Sequence, residues 1–423
     1  MTPSGTDFRR SVSTRLGGKN TTAQATPARI ALLVVGMLVL LAAVRAFTGA
    51  HDVTSSGTVR AALATAVPIA MAGLGGLWAE RAGVVNIGLE GMLILGTWFG
   101  AWAGYQWGPW VGVFAGVAGG CLGGLLHALV TVSFGVDHIV SGVAINLLAL
   151  GLARYLSVIA FTGTEGGGAT QSPQVDEIRT VSVPWLSDWL GTMEKRQWLL
   201  ASDLAGIVRG LCTGLSLLTI VCVLLIPLSF FVLWRTPFGL RLRSAGENPA
   251  AAESLGVNVY RMKYAAVVAS GGFAGLGGVF LSEVASSIYR EGQTGGRGFI
   301  GLAAMIFGNW RPGGLAAGAG LFGYADALQL RQSSAVHALL LFVGLLLLAL
   351  MARDLLRKRW AGAAIGAVSG VGFLLWFALS AEVPGQFVSA TPYVTTLVVL
   401  AVASQRLRMP AANGVPYRRG EGR

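Results

Sequence analysis

An all-α, polytopic membrane protein is the fold class this sequence predicts, and three observations carry the prediction. The first is composition. Of 423 residues, 54% are hydrophobic and only 12% are charged, with a mean hydropathy of +0.65, which is more apolar surface than a soluble core can hide. The second is spacing: the 46 residues between Glu90 and Asp137 contain no Asp, Glu, Lys or Arg, room for two crossings of about 20 residues each. The third is internal similarity. Ala72–Trp98 (AGLGGLWAERAGVVNIGLEGMLILGTW) returns in part between Ala274 and Trp310, where AGLGGVF, IGLAAM and GNW keep the same order. Duplicated halves with interrupted apolar segments at matching places are the sequence sign of a transport fold, with its site at the repeat interface.

In chain order, residues 1–29 are polar, with five basic residues and one acid, and read as a cytoplasmic tail without a cleavable signal peptide. Apolar runs follow at 30–48, 61–79, 91–105, 110–134, 139–161, 210–234, 264–282, 299–310, 313–328, 335–352, 361–381 and 392–404. These make about twelve candidate membrane segments within a transmembrane domain spanning 30–404. With the N-terminus inside, alternation places 235–263, 353–359 and the tail 405–423 in the cytoplasm. They carry Arg235, Arg241, Arg243, Arg261 and Lys263; Arg353, Arg357, Lys358 and Arg359; and Arg406, Arg408, Arg418, Arg419 and Arg423. Positive charge thus lies inside at three loops at once. The polar stretch 162–209 falls outside with six acids against four bases, and its Trp185, Trp189 and Trp198 suit chain lying along the membrane interface.

On the same alternation, the second apolar run crosses inward and the seventh, its echo, crosses outward. The copies are therefore expected to be inverted, forming a five-plus-five core with two extra helices near the C-terminus. The run 299–310 is only about 18 Å long as a helix, against a hydrocarbon core of about 30 Å. It is either a half-helix or an irregular crossing through Arg311-Pro312-Gly313-Gly314, sheltered by protein or a water-filled cavity.

The cytoplasmic loop 235–263 holds a compact helix signature: Asn248 as N-cap, Pro249 at the first helical position, Ala250–Ala252 to propagate and Gly256 to close. A short rigid helix there is suited to docking a motor subunit, and Gly246, Glu247, Asn248, Pro249, Ala251, Glu253 and Gly256 are the candidate coupling residues. No GxxxxGK[ST] phosphate loop occurs, so ATP and Mg would belong to a separate ATPase chain, with no cofactor in this one. His51, His127, His138 and His337 show no metal spacing, and Cys121, Cys212 and Cys222 lie singly in apolar runs. The net charge of +12 sits mainly in short loops between apolar runs, which sets orientation and argues against nucleic acid as a partner.

The runs ERAGVVNIGLEG (Glu80–Gly91), GENPAAAESLGVNVYRMKY (Gly246–Tyr264), GFIGLAAMIFGNWRPGG (Gly298–Gly314) and TPYVTTLVVLA with the tail PAANGVPY (Pro410–Tyr417) together resemble the membrane permease of bacterial ABC importers. The resemblance is nearest to the branch of the branched-chain amino acid and simple-sugar permeases that serves nucleosides. It implies a second permease subunit, most simply a related heteromeric partner, ABC ATPase subunits and an extracytoplasmic substrate-binding lipoprotein. It also implies a multi-pass protein of the bacterial cytoplasmic membrane with both termini inside. The chain departs from the family at 331–390, about 60 residues that insert two apolar runs.

Asn86 and Glu90 stand four apart, on one face of a helix that begins near 86. Intramembrane polar residues default to function, although Glu90 could instead offset a helix dipole. Asn146 and Asn309 could bond a solute or join helices. Trp98 and Trp310, at matching ends of the repeat, could stack a planar base or fill the core. Phe299 and Asp326 complete the candidate pathway. With Glu90 and Asp326 as the clearest acids and no basic residue in the central path, the set suits a neutral solute. A nucleoside fits the amides and rings, a sugar the amides alone, and a zwitterionic amino acid fits least. Two energy sources remain open on these residues: a partner ATPase, or an ion gradient as in secondary transporters.

Overall fold

The computed structural model describes residues 27–329, 333–384, 387 and 407–419. Among these residues the chain is all-α: fifteen helices and one two-stranded sheet. α1 (Pro27–Thr48) is followed by α2 (Ser56–Arg81), α3 (Leu89–Trp107), α4 (Pro109–Ala128) and α5 (His138–Ala160). Next, β1 (Thr180–Val181) and β2 (Leu215–Ser216) pair antiparallel and enclose a hairpin of α6 (Pro184–Lys195) and α7 (Ala201–Cys212). Then come α8 (Leu217–Arg235), α9 (Pro237–Glu247), α10 (Pro249–Ser254) and α11 (Val259–Phe280). α12 (Arg297–Phe307), α13 (Pro312–Gln329), α14 (Ser333–Leu356) and α15 (Trp360–Leu379) complete the described helices.

Helix starts follow the sequence closely. Ser55 accepts from Thr58 N–H to open α2, Asp137 accepts from Ile139 and Val140 to open α5, and Ser216 accepts from Thr219 to open α8. α4 and α11 each run on into a π turn, at Leu129–Ser133 and Leu281–Ala285.

Seven of the described helices are long and apolar enough to cross a membrane: α2, α4 and α11 with their π turns, α5, α8, α14 and α15. Other expected segments take different forms. The run 91–105 lies in α3, whose first turn carries Glu90, and the run 299–310 reduces to α12, 11 residues long. The run 392–404 and the N-terminal residues 1–26 lie outside the described residues. The stretch 162–209, expected as chain along an interface, contains the α6–α7 hairpin instead. Glu194 of that hairpin accepts from Ser56 N–H at 2.8 Å and pairs with Arg209 at 3.0 Å, which fixes the hairpin on the start of α2.

The centre is α2 and α11. In α11, 78% of the most apolar window is buried, against 17% in α15. The outer face of such a span, with Ile365 and Val368 bare, suits lipid or a neighbouring subunit. Glycines let the central helices touch backbone to backbone. A β-carbon at Gly73 of α2 would lie 2.6 Å from the Gly301 carbonyl oxygen of α12, and one at Gly96 of α3 would overlap the Gly275 backbone of α11. The glycine block of each sequence copy thus packs on the later part of the other. α14 and α15, from the inserted stretch, form an antiparallel hairpin in which Gly344 faces Leu374 and the His337 and Phe377 rings stack at 4.5 Å. Val336 and Leu340 of this hairpin bury against Val44 of α1 and Val53, apart from the central cluster of α2, α11 and α12.

Candidate functional site

Between α2 and α3 the helix breaks for seven residues, 82–88, most of them buried. Broken backbone in a membrane core needs internal partners, and this break has them. Asn86, fully buried, donates from Nδ2 to Ser270 Oγ of α11 at 2.9 Å, while its Oδ1 accepts from Gly88 N at 3.0 Å. Asn146 of α5 reaches across to accept from Gly91 N at 2.7 Å and to donate to the Ile87 carbonyl at 3.1 Å. The Val85 carbonyl faces His127 Nε2 at 3.0 Å. Because a carbonyl only accepts, that nitrogen carries the proton, and Nδ1 accepts from Ser141 Oγ at 2.9 Å. Val85 N–H in turn donates to His138 Nδ1 at 3.2 Å.

Glu90 leaves the break and enters the other copy. Its carboxylate accepts from Gly296 N at 3.0 Å and Gly298 N at 2.7 Å, so it caps α12 from a different helix and offsets the positive end of that helix. Arg297, the residue between, pairs with Asp326 of α13 at 3.0 Å. Phe299 stands one residue beyond and is half-exposed. Asn86, Glu90, Asn146, Phe299 and Asp326 are therefore gathered around the break and the start of α12. The expectation of no basic residue here is corrected by Arg297. It sits in a linker rather than an apolar run, and only the turn of the chain at 292–296 carries it inward.

The other three candidates lie elsewhere. Trp98 is buried in an aromatic cluster with Trp102, Phe99 and Phe161, its Nε1 donating to Ser157 Oγ at 2.9 Å. Asn309 and Trp310 form the turn from α12 to α13, with consecutive positive φ of 52° and 53°, a conformation uncommon for residues with a β-carbon. The turn is held from outside. Trp310 Nε1 donates to Glu80 Oε2 at 2.6 Å, its carbonyl accepts from Arg81 at 2.7 and 3.0 Å, and Asn309 Oδ1 accepts from Arg408 N at 2.7 Å.

The loop 235–263 folds as two helices rather than one. Asn248 Oδ1 caps α10 by accepting from Ala251 N at 3.0 Å with Pro249 next, and Gly256 closes it at φ +82°. α9 repeats the device with Thr236 and Pro237, a signal equally visible in the sequence. Gly246 is pressed onto the break, where a β-carbon would overlap the Arg81 carbonyl and stand 2.9 Å from Gly83 N. Glu247 lies 3.9 Å from Arg81, and Glu253 pairs with Arg419 at 2.8 Å. Asn248, Ala251 and Gly256 are exposed beside Leu255, which is 84% exposed. One apolar knob is thus presented on a rigid base.

Residues 58–351 match the family described as branched-chain amino acid transport system / permease component. The chain belongs to this permease family. Among similar proteins, the guanosine ABC transporter permease protein NupQ of Bacillus subtilis is 33% identical over 86% of this chain and 97% of its own length. The nucleoside ABC transporter permease protein NupC of Lactococcus lactis is 32% identical over 83% of this chain and 93% of its own. The putative glucose ABC transporter permease protein TsgC13 of Haloferax volcanii is 32% identical over a shorter stretch, 67% of this chain and 80% of its own length. No solved structure matches. Family membership and the seven apolar helices make this permease a multi-pass membrane protein, and the family implies association with an ATPase and a substrate-binding protein.

Proposed function

We propose that this permease is the channel-forming subunit of an ATP-driven importer for nucleosides. The carrying observation is the buried break at 82–88, lined by neutral amides and facing the capped start of α12. Arg297 is paired with Asp326 at 3.0 Å, and Arg81 at the edge of the break is bonded to the Trp310 carbonyl, so both cations are engaged with protein groups. Such a site suits a neutral, hydroxylated, planar cargo, and the names of the guanosine and nucleoside relatives support that choice. The pathway runs from the aromatic cluster at Trp98, past Asn86, Glu90, Asn146, Phe299 and Asp326, to the turn at Asn309 and Trp310.

In this reading α9 and α10 face the cytoplasm and dock the ATPase, which binds ATP and Mg. The α6–α7 end faces outside and receives cargo from a binding lipoprotein, and a related second permease completes the pore. The basic loops and the packing of each glycine block on the other copy support a reading of twelve segments, with a five-plus-five inverted core and both termini inside. Whole-cell uptake tests the cargo. Excess purine nucleoside should block labelled guanosine import, and ribose or leucine should not. The glucose relative makes a sugar the second reading, and competition by glucose or ribose with no effect of nucleosides would establish it instead.

A further inference from the structure

The described C-terminal segment, 407–419, has no regular secondary structure, yet it is joined to three parts of the molecule: the coupling helices, the helix break and the α12–α13 turn. On the coupling helices, Ala412 N donates to the Gly246 carbonyl at 2.9 Å and Ala411 N to Glu247 Oε2 at 3.2 Å. The Tyr417 hydroxyl bonds Glu253, and Arg419 pairs with the same residue at 2.8 Å. At the helix break, Gly414 N donates to the Gly83 carbonyl at 3.3 Å. At the α12–α13 turn, Arg408 N donates to Asn309 Oδ1 at 2.7 Å. The segment and the α12–α13 turn meet at Glu80, at the end of α2, whose buried Oε2 accepts from Asn413 Nδ2 at 2.8 Å and from Trp310 Nε1 at 2.6 Å.

Burying a carboxylate is costly unless donors surround it. A tail that merely covered the surface would not send a 9% exposed asparagine to supply one of them. The geometry has a lever as well as a joint. α12 is 11 residues long, about 16 Å of rigid helix. Its far end is the Gly296–Gly298 cap on Glu90, and its near end is the Trp310 turn held by Glu80.

We infer that residues 407–419 are a strap that transmits motion of the coupling helices, through Asn413, Glu80 and Trp310, along α12 to the site at Glu90. The inference rests on the ATP-driven import proposed above. When α9 and α10 move with the ATPase, the strap carries the α12–α13 turn with them: Ala412 N–H holds the Gly246 carbonyl, while Arg408 N–H and the Asn413 side chain reach the turn through Asn309 Oδ1 and Glu80. Asn413 is then a positioning residue, and its loss separates ATP hydrolysis from transport without removing the docking knob at Leu255.

The test uses the whole complex of permeases and ATPase in vesicles, with labelled guanosine as cargo. Asn413→Ala and Tyr417→Phe should assemble with the ATPase and hydrolyse ATP near the wild-type rate. Guanosine carried per ATP should fall about tenfold for Asn413→Ala, the scale of one lost hydrogen bond to a buried charged group, and by less for Tyr417→Phe. An unchanged ratio in both variants would overturn the strap, and so would loss of ATPase binding, which would make the segment a docking surface. A second arm needs neither variants nor cargo. Hydrogen exchange on the wild-type complex should show 407–419 and 308–311 changing together between nucleotide-free and vanadate-trapped states. Change confined to α9 and α10 would contradict the inference. Guanosine uptake by wild type without ATP would instead reject the energy source, and no uptake at all would reject the cargo. The exchange arm still decides the strap in either case.

Discussion

The stretches ending at Trp98 and at Trp310 share their glycine blocks and their closing tryptophan, yet the structure uses them differently. In the first, eight residues (79–86) separate the blocks. The chain breaks briefly and resumes as the 19-residue α3, with Trp98 inside it. In the second, nineteen residues (281–299) intervene, the chain leaves the core, and the returning α12 stops at a left-handed turn. The first copy is sealed by side chains of α4, α5 and α11. The second is held at both ends by other elements, Glu90 above and Glu80 with the C-terminal segment below. Similar glycines fix where helices touch, whereas linker length decides whether the chain resumes at once as the long α3 or returns as the short α12.

Glu90→Ala should have the largest effect on this contrast, because it leaves two N–H donors at the start of α12 without their acceptor and removes a compensating charge at once. A loss of about 3 kcal/mol in stability is expected, with uptake abolished. Glu90→Gln keeps the shape and one acceptor, so it should retain assembly with uptake reduced about tenfold. Equal uptake by wild type and Glu90→Ala, normalised to folded protein, would show that α12 needs no anchor in the first copy.

The two tryptophans sharpen the comparison further. Trp310→Phe and Trp98→Phe each remove one N–H donor, but the first abandons a buried carboxylate and the second only a hydroxyl. Thermal unfolding should drop by about 2 kcal/mol for Trp310→Phe and about 1 kcal/mol for Trp98→Phe. Uptake per folded molecule should fall about tenfold in the former and less than twofold in the latter. Matching losses of uptake would mean that the copies work alike.

Much of this was readable from residue order. Asn248-Pro249 announces α10 and the charge pattern of the loops announces a membrane protein, whereas the four-residue spacing of Asn86 and Glu90, read as one face of a helix beginning near 86, is not helical: Asn86 lies in the break and α3 begins only at Leu89. Even the alternative reading of Glu90 as a dipole partner holds, although the helix it serves is α12 as well as its own. Glu80 and Arg297 were illegible. Glu80 looks like a span-ending charge, and only tertiary contact with Asn413, more than three hundred residues away, reveals it as a joint. Arg297 sits among turn residues whose path no periodicity encodes. α6 and α7 were hidden for a related reason: a polar stretch with scattered tryptophans has no apolar run long enough to stand out.

Orientation can be broken independently. Cysteines at Ser187→Cys on α6 and Arg357→Cys after α14 should be labelled by an impermeant reagent from opposite sides, Ser187→Cys from outside. Labelling of both from one side would undo the alternation on which the inverted copies depend.

The smallest expected effect concerns Glu194 at the α6–α7 hairpin. Burial pushes its carboxyl up, but the Ser56 N–H and Arg209 outweigh this and hold it below its ordinary value of 4.5. A carboxyl depressed on folding adds stability that is full above the ordinary value and lost as pH falls through the depressed one. Melting temperature should therefore decline on acidification below 4.5 more steeply in wild type than in Glu194→Gln. Parallel curves would show that the hairpin contributes nothing through this charge.

The most direct measurement is labelled guanosine uptake by vesicles containing the permease with its ATPase, comparing ATP with imposed proton or sodium gradients. ATP alone should drive accumulation, and Gly246→Val, which forces α9 off the Arg81–Gly83 backbone, should abolish it while the protein remains inserted. Accumulation driven by an ion gradient without ATP, undiminished in Gly246→Val, would contradict the account.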